Sequence, residues 1–343
     1  MTKPRKLQWT VLVLAGAASF AIGVIVAVRT LTTGPEAANA NGALEGPTRR
    51  PDAEALAEMQ ELVGVASDYI NAERFSEAEK LLDDLHSKYP EEESVKATRA
   101  ELYIHQVRYE DAYAATRELI ELNDQQPEYR FNAAVLAGML DRHDEASVHY
   151  QEASRLDPSN PKYPLYFAQT LIKLHEYDAA AARLLQVIHL DKSIHEAYGT
   201  LGEIYLIQNK LDLAERQIER ARQLAPEHLK WRLAEARLLR RRHRPQDAIT
   251  LLNALEAPER FHQEVVNEIG QSWALLGAPA KASQVHVDHL QAAPESTESA
   301  IRAAQYLMVV GDRDEARRWT SYAERLDPDD ERVNQLRAQL SEG

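Results

Sequence analysis

Two short stretches of this 343-residue chain carry side chains whose type and spacing bear on chemistry: His286 with His289, and the run from Arg237 to Arg244. The histidines stand three apart, so on a helix they share one face and present two imidazoles to the same side. A structural zinc site needs four ligands, and a catalytic one needs three plus a water. Two ligands from one helix, with few acids nearby, fall short of either. The pair is expected to be structural, hydrogen-bonded within a packed seam, and no metal or cofactor is expected.

The run Arg237 to Arg244 (RLLRRRHR) places five arginines in a chain whose formal charge is −14. Two readings stay open. One is a basic patch for an acidic segment of a partner, because guanidinium groups hold carboxylates through paired N–H donors. The other is a set of arginines near a helix C-terminus, favoured by the dipole and paired with acids such as Glu203.

The remaining chemistry is sparse. The chain has no cysteine, which excludes disulfides, thiolate metal sites and cysteine nucleophiles. G-x-S-x-G, H-E-x-x-H and phosphate-cradling glycine loops are absent. Glu91-Glu92-Glu93 suits a helix start, where negative charge meets the positive end of the dipole. Residues 1–50 hold six basic side chains against Glu36 and Glu45, a net of +4 that leaves −18 on the rest. A body that acidic repels phosphate backbones, so nucleic acid is not an expected partner. An enzyme is not expected either.

The elements that position these residues announce themselves by period. Alanine stands at 78, 112, 146, 180, 214, 248, 282 and 316, an unbroken interval of 34 residues. Twelve residues before each stand Ala66, Ala100, Ala134, Ala168, Gly202, Ala236, Gly270 and Ala304. Two antiparallel helices approach closely only where the side chains at the crossing are small. One column therefore belongs to a first helix and the other to a second. A third column, four residues after the alanines, is Leu82, Thr116, Tyr150, Leu184, Ile218, Leu252, His286 and Thr320, mostly apolar and one turn along the same face. Pro90, Pro158, Pro226, Pro294 and Pro328 close the second helix, since proline cannot continue it. Asp124, Lys192 and Arg260 break that column, with Pro127 and Pro258 near two of the gaps. Scarce glycine (13 residues) and few aromatics (7%) agree with an all-helical chain.

These columns resemble the tetratricopeptide repeat (TPR), a 34-residue helix–turn–helix. Tyr198, Leu201, Gly202, Tyr205, Leu211, Ala214, Ile218, Ala221 and Pro226 occupy its signature positions in the fifth unit. Leu62, Val65, Ala66, Tyr69, Phe75, Ala78, Leu82, Leu85 and Pro90 do so in the first. Later units drift, with Pro245, Pro279 and Arg313 where the family prefers an aromatic. The resemblance implies an all-α, right-handed superhelical solenoid of about eight repeats across 52–330. The repeats span 59–92, 93–126, 127–160, 161–194, 195–228, 229–262, 263–296 and 297–330. Residues 331–343 are expected to cap the open end as a polar helix.

By the same resemblance, positions 2, 5, 9, 12 and 13 of each repeat line a concave groove that binds other proteins or peptide segments. Here they include Phe131, Val135 and Met139, then Leu165, Gln169, Ile172 and Lys173. Glu203, Leu206 and Ile207 follow, then Leu233, Arg237, Arg240 and Arg241. The lysines and asparagines with which one subclass grips a C-terminal carboxylate are missing; Val63 and Ser67, Ala97 and Glu101 stand in their positions.

Ahead of the repeats, residues 1–8 form a basic tail, and Trp9 to Val28 is a twenty-residue stretch without a charge, long enough to cross a bilayer once. Lys3, Arg5 and Lys6 on its short side predict a cytoplasmic N-terminus, with the repeats in the periplasm or outside. Ala38-Asn39-Ala40 resembles a signal-peptide cleavage site but lies twelve residues beyond Val28, which favours an uncleaved anchor in the inner (cytoplasmic) membrane. Ala15, Ser19, Gly23 and Ala27 fall on one face and form a seam suited to self-association through the membrane helix. Residues 29–51 read as a flexible linker. The expectation is a non-catalytic membrane-anchored scaffold for assembly of an envelope complex (secretion, pilus, polysaccharide export or cytochrome maturation). The alternatives are a secreted peptide-binding protein and a partner subunit of an envelope glycosyltransferase.

Overall fold

The computed structural model describes residues 53–341, which form seventeen α-helices and no strand. The chain divides into two compact units after Leu190. The first holds α1 (Ala53–Asn71), α2 (Phe75–Lys88), α3 (Glu93–His105), α4 (Tyr109–Leu122), α5 (Pro127–Met139), α6 (His143–Leu156), α7 (Lys162–Lys173) and α8 (Tyr177–Leu190). The second holds α9 (His195–Ile207), α10 (Leu211–Leu224), α11 (Leu229–Arg241), α12 (Pro245–Asn253), α13 (Gln263–Leu275), α14 (Pro279–Ala292), α15 (Thr297–Val310), α16 (Arg313–Leu326) and α17 (Glu331–Ser341). Residues 1–52, with the expected basic tail, membrane helix, its seam Ala15, Ser19, Gly23 and Ala27, and the linker, lie outside the described residues. No described helix is long and apolar enough to cross a membrane.

Within each unit every helix packs on the next, and first helices also pack side by side, as α1 does on α3, α5 on α7, and α11 on both α9 and α13. That is a TPR-like solenoid, in which each helix pair buries its apolar face only against its neighbours. The three columns explain the pairing. All eight alanines of the second helices are fully buried, and so are all members of the first-helix and third columns. Gly202 and Gly270 show the contact directly. A Cβ on Gly202 would stand 2.6 Å from Cγ1 of Ile218, and one on Gly270 would stand 2.7 Å from Nε2 of His286. Small residues on the first helix thus receive the third-column side chain of the second. Where that side chain is threonine, its hydroxyl is satisfied one turn back: Thr116 and Thr320 each donate at 2.8 Å to the carbonyl of the column alanine, Ala112 or Ala316.

The two helices of each pair are joined by one recurring turn. Glu73, Val107, Asp141, His175, Asn209, His243, Gly277 and Gly311 all have φ between +56° and +88°, again every 34 residues. The next residue's N–H then reaches the carbonyl five residues back, as in Arg108 to Tyr103 and Lys210 to Tyr205, both at 2.8 Å. This closes orphan carbonyls of the first helix.

One pair departs from the pattern. The helix α12 has 9 residues where the other second helices have 14. Pro258 cannot donate to a helical carbonyl and bars the last turn. Residues 254–262 instead run irregularly through a 3-10 turn at Glu259–Phe261, pinned by buried Leu255.

Candidate partner-binding face

The first helices carry the candidate site, and their ends are tied by side-chain bonds between successive helices of one unit. The Tyr129 hydroxyl on α5 donates to Glu93 on α3, and Trp231 Nε1 on α11 donates to His195 Nδ1 on α9 at 3.0 Å. Ser299 on α15 meets the Gln263 side chain on α13 at 3.1 Å. All three occupy one register position, third in the repeat. Trp231 also fills the space over Gly199, where a Cβ would stand 2.2 Å from the indole. The sequence shows these residues in register, but their types differ so much that no column marks them.

In the first unit, two of the expected groove residues are withdrawn from the surface. Phe131 and Val135 are fully buried and offer nothing to a partner, which corrects the expectation drawn from the family's register. The cause is an aromatic cluster: Tyr166 meets the Phe131 ring edge-on at 5.2 Å, and Tyr163 and Tyr150 lie at 5.5 and 5.9 Å. The Lys162 ammonium sits 4.4 Å over the same ring, and burial pushes its pKa down. Met139, Leu165, Gln169 and Ile172 are half-buried, and Lys173 is exposed.

In the second unit the arginine run resolves into ion pairs. Arg237 Nη2 lies 2.7 Å from Glu264, with Glu203 at 3.8 Å and Glu268 at 3.9 Å. Arg240 Nε donates to Glu268 at 2.5 Å, and that carboxylate is only 4% exposed. Arg242 pairs with Asp212 at 2.6 Å and Glu215 at 3.0 Å, and Arg244 pairs with Asp247 at 2.6 Å. Glu203 also takes Lys230 at 2.9 Å. The basic patch is therefore mostly neutralised within the chain, as the second of the two readings of the run requires. Arg241 is the exception. Its Nη1 donates to the Leu206 carbonyl at 2.6 Å, and no carboxylate lies within 4.0 Å among the described residues. Leu206 and Leu233 are buried, whereas Ile207 is 53% exposed.

His286 and His289 are buried in the second unit, where His289 Nε2 faces the Phe261 carbonyl at 2.9 Å and its Nδ1 faces Ser299 Oγ at 2.8 Å. A carbonyl only accepts, so His289 carries its proton on Nε2 and accepts from the serine hydroxyl. His286 Nδ1 reaches the same hydroxyl at 3.4 Å, and its ring stacks on Tyr306. Burial pushes the His286 imidazole down to about 4. Among the described residues no third ligand joins them. They are a hydrogen-bonded seam.

The groove residues expected from the register end in the sixth repeat. The same position on α13 and α15 is Leu275 and Val309, exposed at 52% and 73%. Continuing the 34-residue interval from Ile207 and Arg241 is the signal that finds them.

The fold is that of the TPR solenoids. Residues 167–228 match the family profile described as Tetratricopeptide repeat. The chain is similar in structure to a tetratricopeptide repeat protein from Parabacteroides merdae, with a TM-score of 0.61 and 13% identity over 73% of this chain and 99% of that one. Yeast Tom70 matches with a TM-score of 0.51 and 20% identity over 93% of this chain and 68% of its own. The type IV pilus biogenesis factor PilW matches at 0.51 and 17%, over 60% of this chain and 96% of its own. No curated protein matches the sequence.

Proposed function

We propose that this protein is a non-catalytic adaptor, tethered to the inner membrane by residues 9–28, whose first-helix face gathers partner proteins for an envelope assembly. One observation carries the reading. The three packing columns are wholly consumed in holding helix pairs together, while the ends of first helices keep large side chains at the surface: Lys173, Ile207, Arg241, Leu275 and Val309. In each unit these side chains are available for a partner and have no other task in the chain. PilW, a pilus biogenesis factor of similar fold, makes assembly of an envelope machine one concrete form of the proposal. The charge asymmetry around Trp9 to Val28 supports the periplasmic placement of the repeats.

The test is photo-crosslinking in native membranes from a residue placed at Lys173 or at Leu275, with Glu219 on α10 as a control away from that face. The adaptor reading expects defined partners captured from the first-helix positions and not from the control. Equal capture from all three sites, or none from any, would end it.

A further inference from the structure

The last turn of the first helices in the second unit forms a ledge, and its chemistry specifies what it holds. We infer that this ledge takes an extended segment of a partner protein bearing an apolar side chain on about every third residue, with one carboxylate among them. The inference rests on the adaptor reading and names its ligand class.

Ile207, Arg241, Leu275 and Val309 occupy the same register position on α9, α11, α13 and α15. The three apolar members are exposed at 53%, 52% and 73%, whereas the apolar residues of the packing columns in this unit are fully buried. Exposed apolar side chains at one register position in three of the four repeats of this unit are an interaction surface rather than scatter.

Arg241 supplies the polar rung. Its hydrogen bond to the Leu206 carbonyl fixes the guanidinium beside Ile207 and uses one of five N–H donors. The nearby carboxylates are already engaged: Glu203, Glu264 and Glu268 by Arg237 or Arg240, Asp212 and Glu215 by Arg242. In a chain this acidic, an arginine left unpaired between two exposed apolar residues is complementary to a carboxylate from outside. Beyond Val309 the ledge opens into a depression of about 310 Å³ lined by Met308, Leu336, Arg332 and three glutamines, which gives a final side chain a seat.

Spacing sets the conformation. Packed helices lie roughly 8–10 Å apart, and α11 packs side by side with both α9 and α13. A polyproline II chain rises about 3.1 Å per residue with three residues per turn, so every third side chain points the same way about 9 Å on. One residue per rung then matches one helix per turn. Such a chain makes no internal hydrogen bonds and is ordered before it binds, which keeps the entropic cost low.

The experiment titrates the full-length chain, in mild detergent and low salt, against the fluorescein-labelled peptide LPPEPPLPPV, read by anisotropy. Saturable binding is expected, weakened about tenfold, or 1.4 kcal/mol, when glutamine replaces the peptide's glutamate. Arg241→Gln should abolish that preference, and Leu275→Asp should abolish binding; both residues are exposed, so folding is not at stake. The permuted peptide LLVEPPPPPP should bind at least about tenfold more weakly. Equal binding of the permuted peptide, a glutamate preference that survives in Arg241→Gln, or no saturable binding at millimolar peptide would overturn the inference. So would tighter binding of a helical peptide with the same side chains seven residues apart, or dimerisation of the chain lost in Leu275→Asp. Crosslinking separates the two readings: partners captured from Lys173 but never from Leu275 leave the adaptor standing and remove the ledge.

Discussion

The thirteenth position of each repeat, in the last turn of its first helix, reads Asn71, His105, Met139 and Lys173 in the first unit, and Ile207, Arg241, Leu275 and Val309 in the second. The backbone at these positions is the same, down to the positive-φ residue two places further on. The two units differ most at this edge. Both bury charge, Lys96 and Glu101 in the first and Glu268 in the second, and both bury aromatic rings, Phe131 in the first and Trp231 in the second. The first gathers its aromatics inside, around Phe131, and leaves a mixed polar edge. The second puts charge inside, with Glu268 buried between Arg237 and Arg240, and leaves an apolar edge with one cation. A repeat backbone therefore does not fix which side chains face a partner; the fillers of each seam decide it.

The largest effect expected from breaking this contrast lies in the first unit. Phe131→Ala removes a fully buried ring that three tyrosines surround, and should cost about 4 kcal/mol of local stability. Native-state hydrogen exchange across α5 to α7 is the suitable readout, because opening energies in repeat arrays are local. A loss below about 1 kcal/mol would mean the ring sits at the surface, as the family's register implies. In the second unit, Arg240→Met should cost about 3 kcal/mol, because it leaves a buried carboxylate with only the more distant Arg237, 3.9 Å away. Adding Glu268→Gln should recover most of that loss, which a purely packing role for Arg240 would not allow.

Acid sharpens the comparison further. His286 is held neutral, with a pKa of about 4 against an ordinary 6.5, and burial also lowers its neighbour His289. Between these values the unfolded chain binds a proton that the folded unit refuses. Stability is complete above about 6.5 and falls as pH drops toward 4, by about 3 kcal/mol for His286. Exchange protection of α14 and α15 followed from pH 7 to pH 4 should show that slope. His286→Ile, which copies the Ile218 and Gly202 contact at the equivalent place, should flatten it. An unchanged slope would assign the acid response to other groups.

Much of this was legible from spacing alone. Small residues at crossings leave a periodic trace because only they fit, and all sixteen column positions that mark helix contacts are buried. The ion pairs were within reach too, since Arg237 and Glu203 stand one repeat apart. Other features leave no trace in residue type. The third-position bonds use tyrosine, tryptophan or serine against glutamate, histidine or glutamine, so chemistry recurs while identity does not. The burial of Phe131 follows from Tyr150, Tyr163 and Tyr166, which come from two other helices. Pro258 stood only near a gap in the proline column, and no residue type announced that α12 stops five residues short of the other second helices.

The turn between helices gives the smallest and cleanest test of the contrast. The second unit fills its positive-φ position with Asn209, His243, Gly277 and Gly311, three of which tolerate that backbone well. The first unit uses Glu73, Val107, Asp141 and His175, and Val107 is a β-branched residue at φ +61° with its side chain in solvent. A branched Cβ crowds the following carbonyl in this conformation, and no burial offsets the strain. Val107→Asn should therefore stabilise α3 and α4 by about 1 kcal/mol, and Gly277→Val should destabilise α13 and α14 by about as much. Both changes leave every described packing contact in place, so thermal unfolding of the two variants isolates the backbone. Equal and negligible shifts would show that the turn is indifferent to its residue, and that the units differ only in how their seams and edges are filled.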